Sequence, residues 1–137
     1  MPVEREDSLI ELCRRAVQRL SGRLPDAQVS CHMRLADALR VVATEGGLRM
    51  IYEVNRSQGG IGWRAVETGR PQLVEDVRLD PDYMASDERV RAEVVVPVTS
   101  GDEVVLVLDA EFVGRPFRPD EAEAVQAEAE LLERALP

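Results

Sequence analysis

The residue types that most often carry reactive chemistry are scarce in this sequence. Its 137 residues include one histidine, two cysteines and 17 basic residues, all of which are arginine. The lack of lysine excludes Schiff-base chemistry, a pyridoxal phosphate site, a lysine general base and a lysine-dependent phosphate loop. A single histidine also excludes a metal centre built from several histidines.

The cysteines and the histidine fall at positions that favour structural roles. Cys13 shares the apolar stripe of a predicted helix with Leu9 and Leu20, which favours a buried and inert thiol. Cys31 and His32 are neighbours in a predicted strand, so their side chains point to opposite faces. His32 lies on the polar face, a pattern typical of a solvated histidine rather than of a haem ligand.

Two terminal helices and a set of short strands must position these residues. Apolar residues recur with a helical period from Leu9 to Leu20, and Pro119 with the acids that follow it marks the start of a helix over 119–136. The alternating segments predict an antiparallel meander, because their connections are too short for crossover helices. The predicted extended segments are 28–35, 39–45, 48–54, 73–77, 94–98 and 104–108, with a glycine-capped helix within 59–69 and a polar loop at 78–91.

Length and charge indicate one acidic domain. A chain of 137 residues that is 45% hydrophobic can bury one core, so we expect a single domain over 1–137. The net charge of −9 would be repelled by a phosphate backbone, which argues against nucleic acid as a partner. The charged first segment is not typical of a signal peptide, and no apolar run has the length of a membrane span. The expectation is a cytoplasmic protein with no membrane contact.

Four motifs in the second half of the chain resemble those of GAF domains. They are GGIGWRAVETGRPQLVEDVRLDPDY from Gly59, AEVVVPV from Ala92, VVLVLDAE from Val104 and FRPDEAEAV from Phe117. Their order and spacing make the resemblance specific. It implies an α+β, PAS-related fold with a central antiparallel sheet. The N- and C-terminal helices would pack on one face of this sheet, with a ligand pocket on the other, in a single GAF domain over 1–137.

Among GAF domains, the chain resembles the free methionine-(R)-sulfoxide reductases. The catalytic cysteine and following aspartate of that group correspond here to Ser86 and Asp87, and its other cysteine positions hold no thiol in this chain. A serine hydroxyl cannot replace the thiolate that attacks a sulfoxide. An enzymatic alternative therefore requires Cys31 as a relocated nucleophile and Cys13 as the resolving thiol.

The same resemblance implies an acidic ligand pocket. Glu93, Asp109 and Glu111 match its acidic positions, and carboxylates beside an apolar pocket favour a cationic or amine-bearing ligand. The alternative for Glu93 and Glu111 is a pair of strand-end charges that face water. Trp63 and Tyr83 could stack on a ligand, although Trp63 could equally pack its helix onto the sheet. The predicted ligand-binding residues are Trp63, Tyr83, Met84, Ser86, Asp87, Glu93, Asp109 and Glu111, with no catalytic or metal-binding residue.

These observations predict a sensor or regulatory GAF domain rather than an enzyme. We expect it to bind a small molecule of unknown identity, to use no cofactor, and to signal through a homodimer or a protein partner. In the last helix, Ala124, Leu131 and Ala135 would form a second apolar edge for a twofold mate. The alternatives are a reductase with relocated thiols and an interaction scaffold whose pocket is filled by side chains.

Overall fold

The computed structural model describes the backbone of residues 3–136 and the side chains of residues 6–136. Residues 1, 2 and 137 of the predicted domain lie outside the described residues. The helices are α1 (Val3–Arg23), α2 (Ile61–Thr68) and α3 (Pro119–Ala135). The strands are β1 (Ala27–Leu35), β2 (Ala38–Glu45), β3 (Glu53–Asn55), β4 (Gln72–Val74), β5 (Val90–Ser100) and β6 (Glu103–Val113). None of the helices in this part of the chain is long and apolar enough to cross a membrane.

The strands form one sheet in the order β3-β2-β1-β6-β5-β4, and all neighbours are antiparallel. This order places β6 at the centre, between β1 and β5. The β5–β6 hairpin pairs from Val90 and Val113 to Ser100 and Glu103, across a turn at Gly101. The apolar runs in these strands are explained by their position, since both faces of the central strands are covered.

Strand alternation divides the apolar residues between two cores. On one face, α1 and α3 cover the sheet, and the larger core between them contains Cys13, Cys31 and Leu108. On the other face, α2 covers a smaller core that contains Trp63 and Val107. The α+β fold is confirmed, with the terminal helices together on one face of an antiparallel sheet.

The segment 48–54 departs from the strand predicted for it, since β3 includes only its last part. The backbone amides that a strand would use are bound by side chains instead. The Leu48 N–H donates to the side-chain oxygen of Gln28 at 2.8 Å. The Arg49 N–H donates to the Asp87 carboxylate at 3.1 Å. Most of the segment therefore leaves the sheet and folds over its face.

The other predicted boundaries differ less. The extended segment 73–77 is the short strand β4 followed by a single 3₁₀ turn, Val77–Leu79. The strands β5 and β6 extend beyond the predicted apolar runs at both ends. The helix α2 ends as predicted at Gly69, which has a left-handed φ of 66° and donates its N–H to the Ala65 carbonyl.

Candidate functional site

A cavity of about 80 Å³ lies between the sheet and α2. Strands β1, β5 and β6 form its floor, and the segment 50–54, the glycine-rich entry to α2 and residues 83–86 form its walls. Leu39, Ile61 and Trp63 make much of the wall apolar. A volume of this size holds several water molecules or a small organic molecule.

Three carboxylates, which we call the carboxylate cluster, face the cavity from β5 and β6. Glu93 pairs with Glu111 across the two strands, and Asp109 lies two residues before Glu111 on the same face. Their carboxylate oxygens lie within 4.8 Å of one another. All three residues are buried, since Glu93 is 6% exposed, Glu111 is 5% exposed and Asp109 is 7% exposed. Such an all-oxygen group could bind an organic ammonium ion or coordinate a divalent metal ion.

No arginine among residues 6–136 forms an ion pair with the carboxylate cluster. Burial, together with the charge of Glu93, raises the pKa of Glu111 to about 8. Burial and the two neighbouring charges raise the pKa of Asp109 well above its usual range. Burial also raises the pKa of Glu93, although a hydrogen bond with Asp109 opposes this shift. The cluster therefore retains protons near neutral pH unless a cation replaces them.

Buried polar atoms without hydrogen-bond partners also converge on the cavity. Among the described side chains there are four, and Asp109 Oδ1, Tyr83 OH and His32 Nε2 all belong to residues that line the cavity. The fourth is Arg91 Nε, whose guanidinium forms an ion pair with Asp76 at 3.4 Å. Each unsatisfied buried group costs about 1–3 kcal/mol, so three in one cavity mark a place where water or a bound molecule can supply the partners.

Two anchors hold residues 83–86 over the cavity. On one side, Arg64 of α2 binds Asp80 at 2.7 Å and Asp82 at 2.9 Å. On the other side, Asp87 fixes the chain through the bonds described below. The long polar loop is therefore held in place although it contains no regular strand, and its side chains keep a defined position at the cavity.

Asp87 is the one predicted ligand-binding residue that lies outside the cavity lining. Its carboxylate accepts hydrogen bonds from Arg89 Nη2 at 2.7 Å and from Arg89 Nε at 3.0 Å. It also accepts from the backbone amides of Arg49 and Arg89. The Arg89 guanidinium holds the pKa of Asp87 well below its usual range. Asp87 thus joins two loops and has no free acceptor aimed at a ligand.

Residues 8–136 match the family model for the GAF domain. The chain belongs to the GAF domain family.

Two kinds of GAF-fold protein are among the solved structures that are similar to this chain. A free methionine-R-sulfoxide reductase from Neisseria meningitidis, determined with its substrate, is 23% identical with a TM-score of 0.83, over 93% of this chain and 77% of that one. The type II enzyme from Thermoplasma acidophilum is 25% identical with a TM-score of 0.81, over 93% and 94%. A putative GAF sensor protein from Burkholderia vietnamiensis is 20% identical with a TM-score of 0.77, over 91% and 79%. No curated protein is a significant match.

In this GAF domain, seven of the eight predicted ligand-binding residues line the cavity. They are Trp63, Tyr83, Met84, Ser86, Glu93, Asp109 and Glu111. The register of β5 and β6 brings the three acids together, and the loop brings Tyr83, Met84 and Ser86 to the opposite wall. Their contact with a ligand stays a prediction.

Trp63 has the packing role considered for it, and its stacking on a ligand stays a prediction. It is 2% exposed, and its Nε1 donates to the Val54 carbonyl at 2.9 Å, which fixes α2 against strand β3. The guanidinium carbons of Arg34 and Arg56 lie 5.7 and 5.0 Å from the centre of its ring. Trp63 therefore packs the helix onto the sheet and also forms part of the cavity wall.

His32 is half-buried, so the expectation of a solvated histidine fails for its Nε2 atom but not for the whole side chain. His32 lines the cavity, its Nε2 is buried without a partner, and burial lowers its pKa to about 4. Alternation correctly placed it opposite Cys31, on the face that carries the cavity. Sequence reasoning missed the burial, because the segment that covers this face was expected to be a strand within the sheet.

The two thiols lie on the opposite side of the sheet from the cavity. Cys13 and Cys31 are both 0% exposed in the core beneath the terminal helices. A hydrogen bond with Cys13 and burial raise the pKa of the Cys31 thiol well above its usual value, which disfavours the thiolate. A mechanism with these relocated thiols would have to operate across the sheet from the cavity.

Proposed function

We propose that this GAF domain is a regulatory domain that binds a small molecule bearing a cationic nitrogen in the cavity. The carboxylate cluster is the observation that carries the proposal, because it is buried beside the cavity without an ion-pair partner in the described chain. An ammonium group supplies both the missing charge and hydrogen-bond donors for Asp109 Oδ1. The apolar wall around Trp63 suits the carbon skeleton of such a ligand.

Binding of a cation to this cluster should displace protons. The ligand favours ionised carboxylates, whereas Glu111 with a pKa of about 8 is mostly protonated at neutral pH. The affinity should therefore increase as the pH rises towards that value.

The first test is a thermal-shift screen of amines, amino acids and nucleotides with the wild type and the Glu111→Gln variant. Ligands that bind only the folded state raise the melting temperature. We expect amines to raise it in the wild type and to lose this effect in the variant. Glu88→Gln, which alters an exposed acid of the neighbouring loop, is the matched control. The proposal would be contradicted if no amine raised the melting temperature of the wild type, or if amines raised that of Glu111→Gln equally.

Reductase activity is a second candidate, supported by the likeness to the free methionine-R-sulfoxide reductases. Ser86 lines the cavity and occupies the place that the sequence resemblance assigns to their catalytic cysteine. A regulatory domain should show no turnover of free methionine sulfoxide with a thiol reductant. Turnover that is lost in Cys31→Ser, with the fold intact by circular dichroism, would instead support the enzyme.

We also propose that the signal leaves through a dimer formed by α3. Leu131 is 45% exposed and Ala135 is also exposed, whereas Ala124 is buried in its own subunit and is not available for a twofold mate. Sedimentation at tens of micromolar should show a dimer that Leu131→Glu dissociates. Leu79→Glu, at an 82% exposed leucine away from α3, should leave it intact. A monomeric wild type would contradict the proposal.

A further inference from the structure

We infer that the ligand is a short amine with an uncharged hydrogen-bonding group such as a hydroxyl, and that Tyr83 and His32 recognise this group. The inference rests on the proposed function, since it assumes that the ammonium group occupies the carboxylate cluster. It adds the chemistry of the second part of the ligand and the residues that select it.

Tyr83 and His32 provide the two polar atoms of the cavity lining that have no hydrogen-bond partner and lie outside the carboxylate cluster. Tyr83 OH and His32 Nε2 are buried, have no hydrogen-bond partner in the described structure and belong to residues lining the same cavity. A hydroxyl can donate and accept, so it can satisfy a phenol and either tautomer of a neutral imidazole. An aliphatic ligand would leave both atoms unsatisfied.

The register of β1 and β6 sets the distance between the two parts of the ligand. His32 pairs with Val107 and Ser30 pairs with Asp109, so His32 and Asp109 are diagonal neighbours on one face of the sheet. Diagonal neighbours lie about 7 Å apart at the backbone, and their side chains approach more closely. A ligand with only a few bonds between its nitrogen and its polar group can therefore reach both.

The charges around the cavity favour an uncharged polar group over a carboxylate. The carboxylate cluster repels an anion, and burial keeps the His32 imidazole neutral. Arg34 and Arg56 lie over the Trp63 ring, but neither of them lines the cavity. Arg56 also forms ion pairs with Asp37 and Glu67. The charge of Arg64 acts on Glu93, but Asp80 and Asp82 bind its guanidinium. A free amino acid would therefore place its carboxylate against this negative surface without a free cation beside it.

Three probes with related branched skeletons separate these possibilities by isothermal titration calorimetry at pH 7.5. They are isobutylamine, with an ammonium group alone, valinol, with an added hydroxymethyl group, and valine, with an added carboxylate. One neutral hydrogen bond corresponds to an affinity gain of about two- to tenfold and a second bond adds a similar factor, so valinol should bind at least about threefold more tightly than isobutylamine. Valine should bind more weakly than isobutylamine.

Variants assign the preference to its residues. Tyr83→Phe removes only the hydroxyl and should reduce the preference for valinol to about twofold or less, with the affinity for isobutylamine unchanged. His32→Leu should act in the same direction, and Tyr52→Phe, at a tyrosine that is 61% exposed, should have no effect.

Equal binding of isobutylamine and valinol, or valine as the tightest ligand, would overturn the inference and leave the proposed function standing. A Tyr83→Phe variant that weakens both amines equally would do the same. If none of the three probes binds, both the inference and the proposed amine site fail.

Discussion

Two groups of acids in this GAF domain are buried to a similar depth, but their pKa values are shifted in opposite directions. Asp87 and Glu121 are each 2% exposed, and Arg89 and Arg115 bind them at 2.7 and 2.8 Å. These guanidinium groups hold the pKa of both acids below the usual range. The carboxylate cluster is buried almost as deeply but has no arginine partner in the described chain, and its pKa values are raised.

The difference separates acids that hold the fold together from acids that are available to a ligand. A buried charge is tolerated when a partner and hydrogen bonds compensate it, as they do for Asp87 and Glu121. Where the chain supplies no partner, the acid is neutralised by a proton or by an external cation. Burial alone therefore does not distinguish the two groups, whereas the presence of an arginine does.

The largest effect is expected from breaking a compensated acid. Arg115→Ala removes the short contact with Glu121 and the contact with Asp26. It leaves Glu121 with the longer ion pair to Arg118 at 3.6 Å and the Arg118 amide, so the free energy of unfolding should fall by about 2–3 kcal/mol. Urea denaturation measures this change. Arg14→Ala, which removes an exposed pair with Glu11, should cost less than about 0.5 kcal/mol. Equal losses would remove the distinction between the two kinds of ion pair.

The ligand-free protein should become less stable as the pH rises from about 6.5 to 8, a range in which the opposing contribution of His32 is already complete. The cluster acids have raised folded-state pKa values, so their stabilising contribution is complete below the unfolded pKa and is lost as the pH rises through the folded pKa. Each acid that stays protonated only in the folded state lowers the free energy of unfolding by about 1.4 kcal/mol per pH unit. Denaturation over this range should give a smaller slope for Glu111→Gln than for the wild type. A stability that rises with pH would contradict the raised pKa values.

The same acid-to-amide change should alter the free energy of unfolding in opposite directions in the two groups. At pH 8, Glu111→Gln removes an unpaired buried acid and should stabilise the ligand-free protein by about 1–2 kcal/mol. Asp87→Asn weakens the bonds to Arg89 and should destabilise it by about 1–2 kcal/mol. Melting curves of both variants at one pH test this, and changes of the same sign would count against the comparison.

The smallest effect is expected on the other face of the sheet. Cys31→Ala shortens a buried side chain beneath the terminal helices and should cost about 1 kcal/mol. It should leave amine binding unchanged, because the thiol lies across the sheet from the cavity. A loss of binding with an intact fold, measured by calorimetry, would show that the two faces are coupled.

Local patterns predicted most of the fold because they depend on near neighbours in the chain. The stripes of α1 and α3, the hairpin of β5 and β6 and the Gly69 cap all follow from periodicity or turn chemistry. The segment 48–54 was mispredicted because Gln28 and Asp87, distant in sequence, capture its amides.

The site was only partly predictable for the same reason. Motif resemblance selected the three acids, but their convergence depends on the register that pairs Glu93 with Glu111. The role of Asp87 depends on Arg89, and the burial of His32 depends on the segment that folds over it. The segment over His32 is distant in sequence, whereas Arg89 lies two residues after Asp87 and could have indicated a structural role for this acid.

The most direct test of the central claim is whether amine binding releases protons. Calorimetry of valinol at pH 7 should be performed in phosphate and in HEPES, which differ in ionisation enthalpy. The cation should expel protons from the carboxylate cluster, so the observed enthalpies of the wild type should differ between the two buffers. Binding with the same enthalpy in both buffers would show that the ligand does not occupy protonated carboxylates, and it would contradict the account.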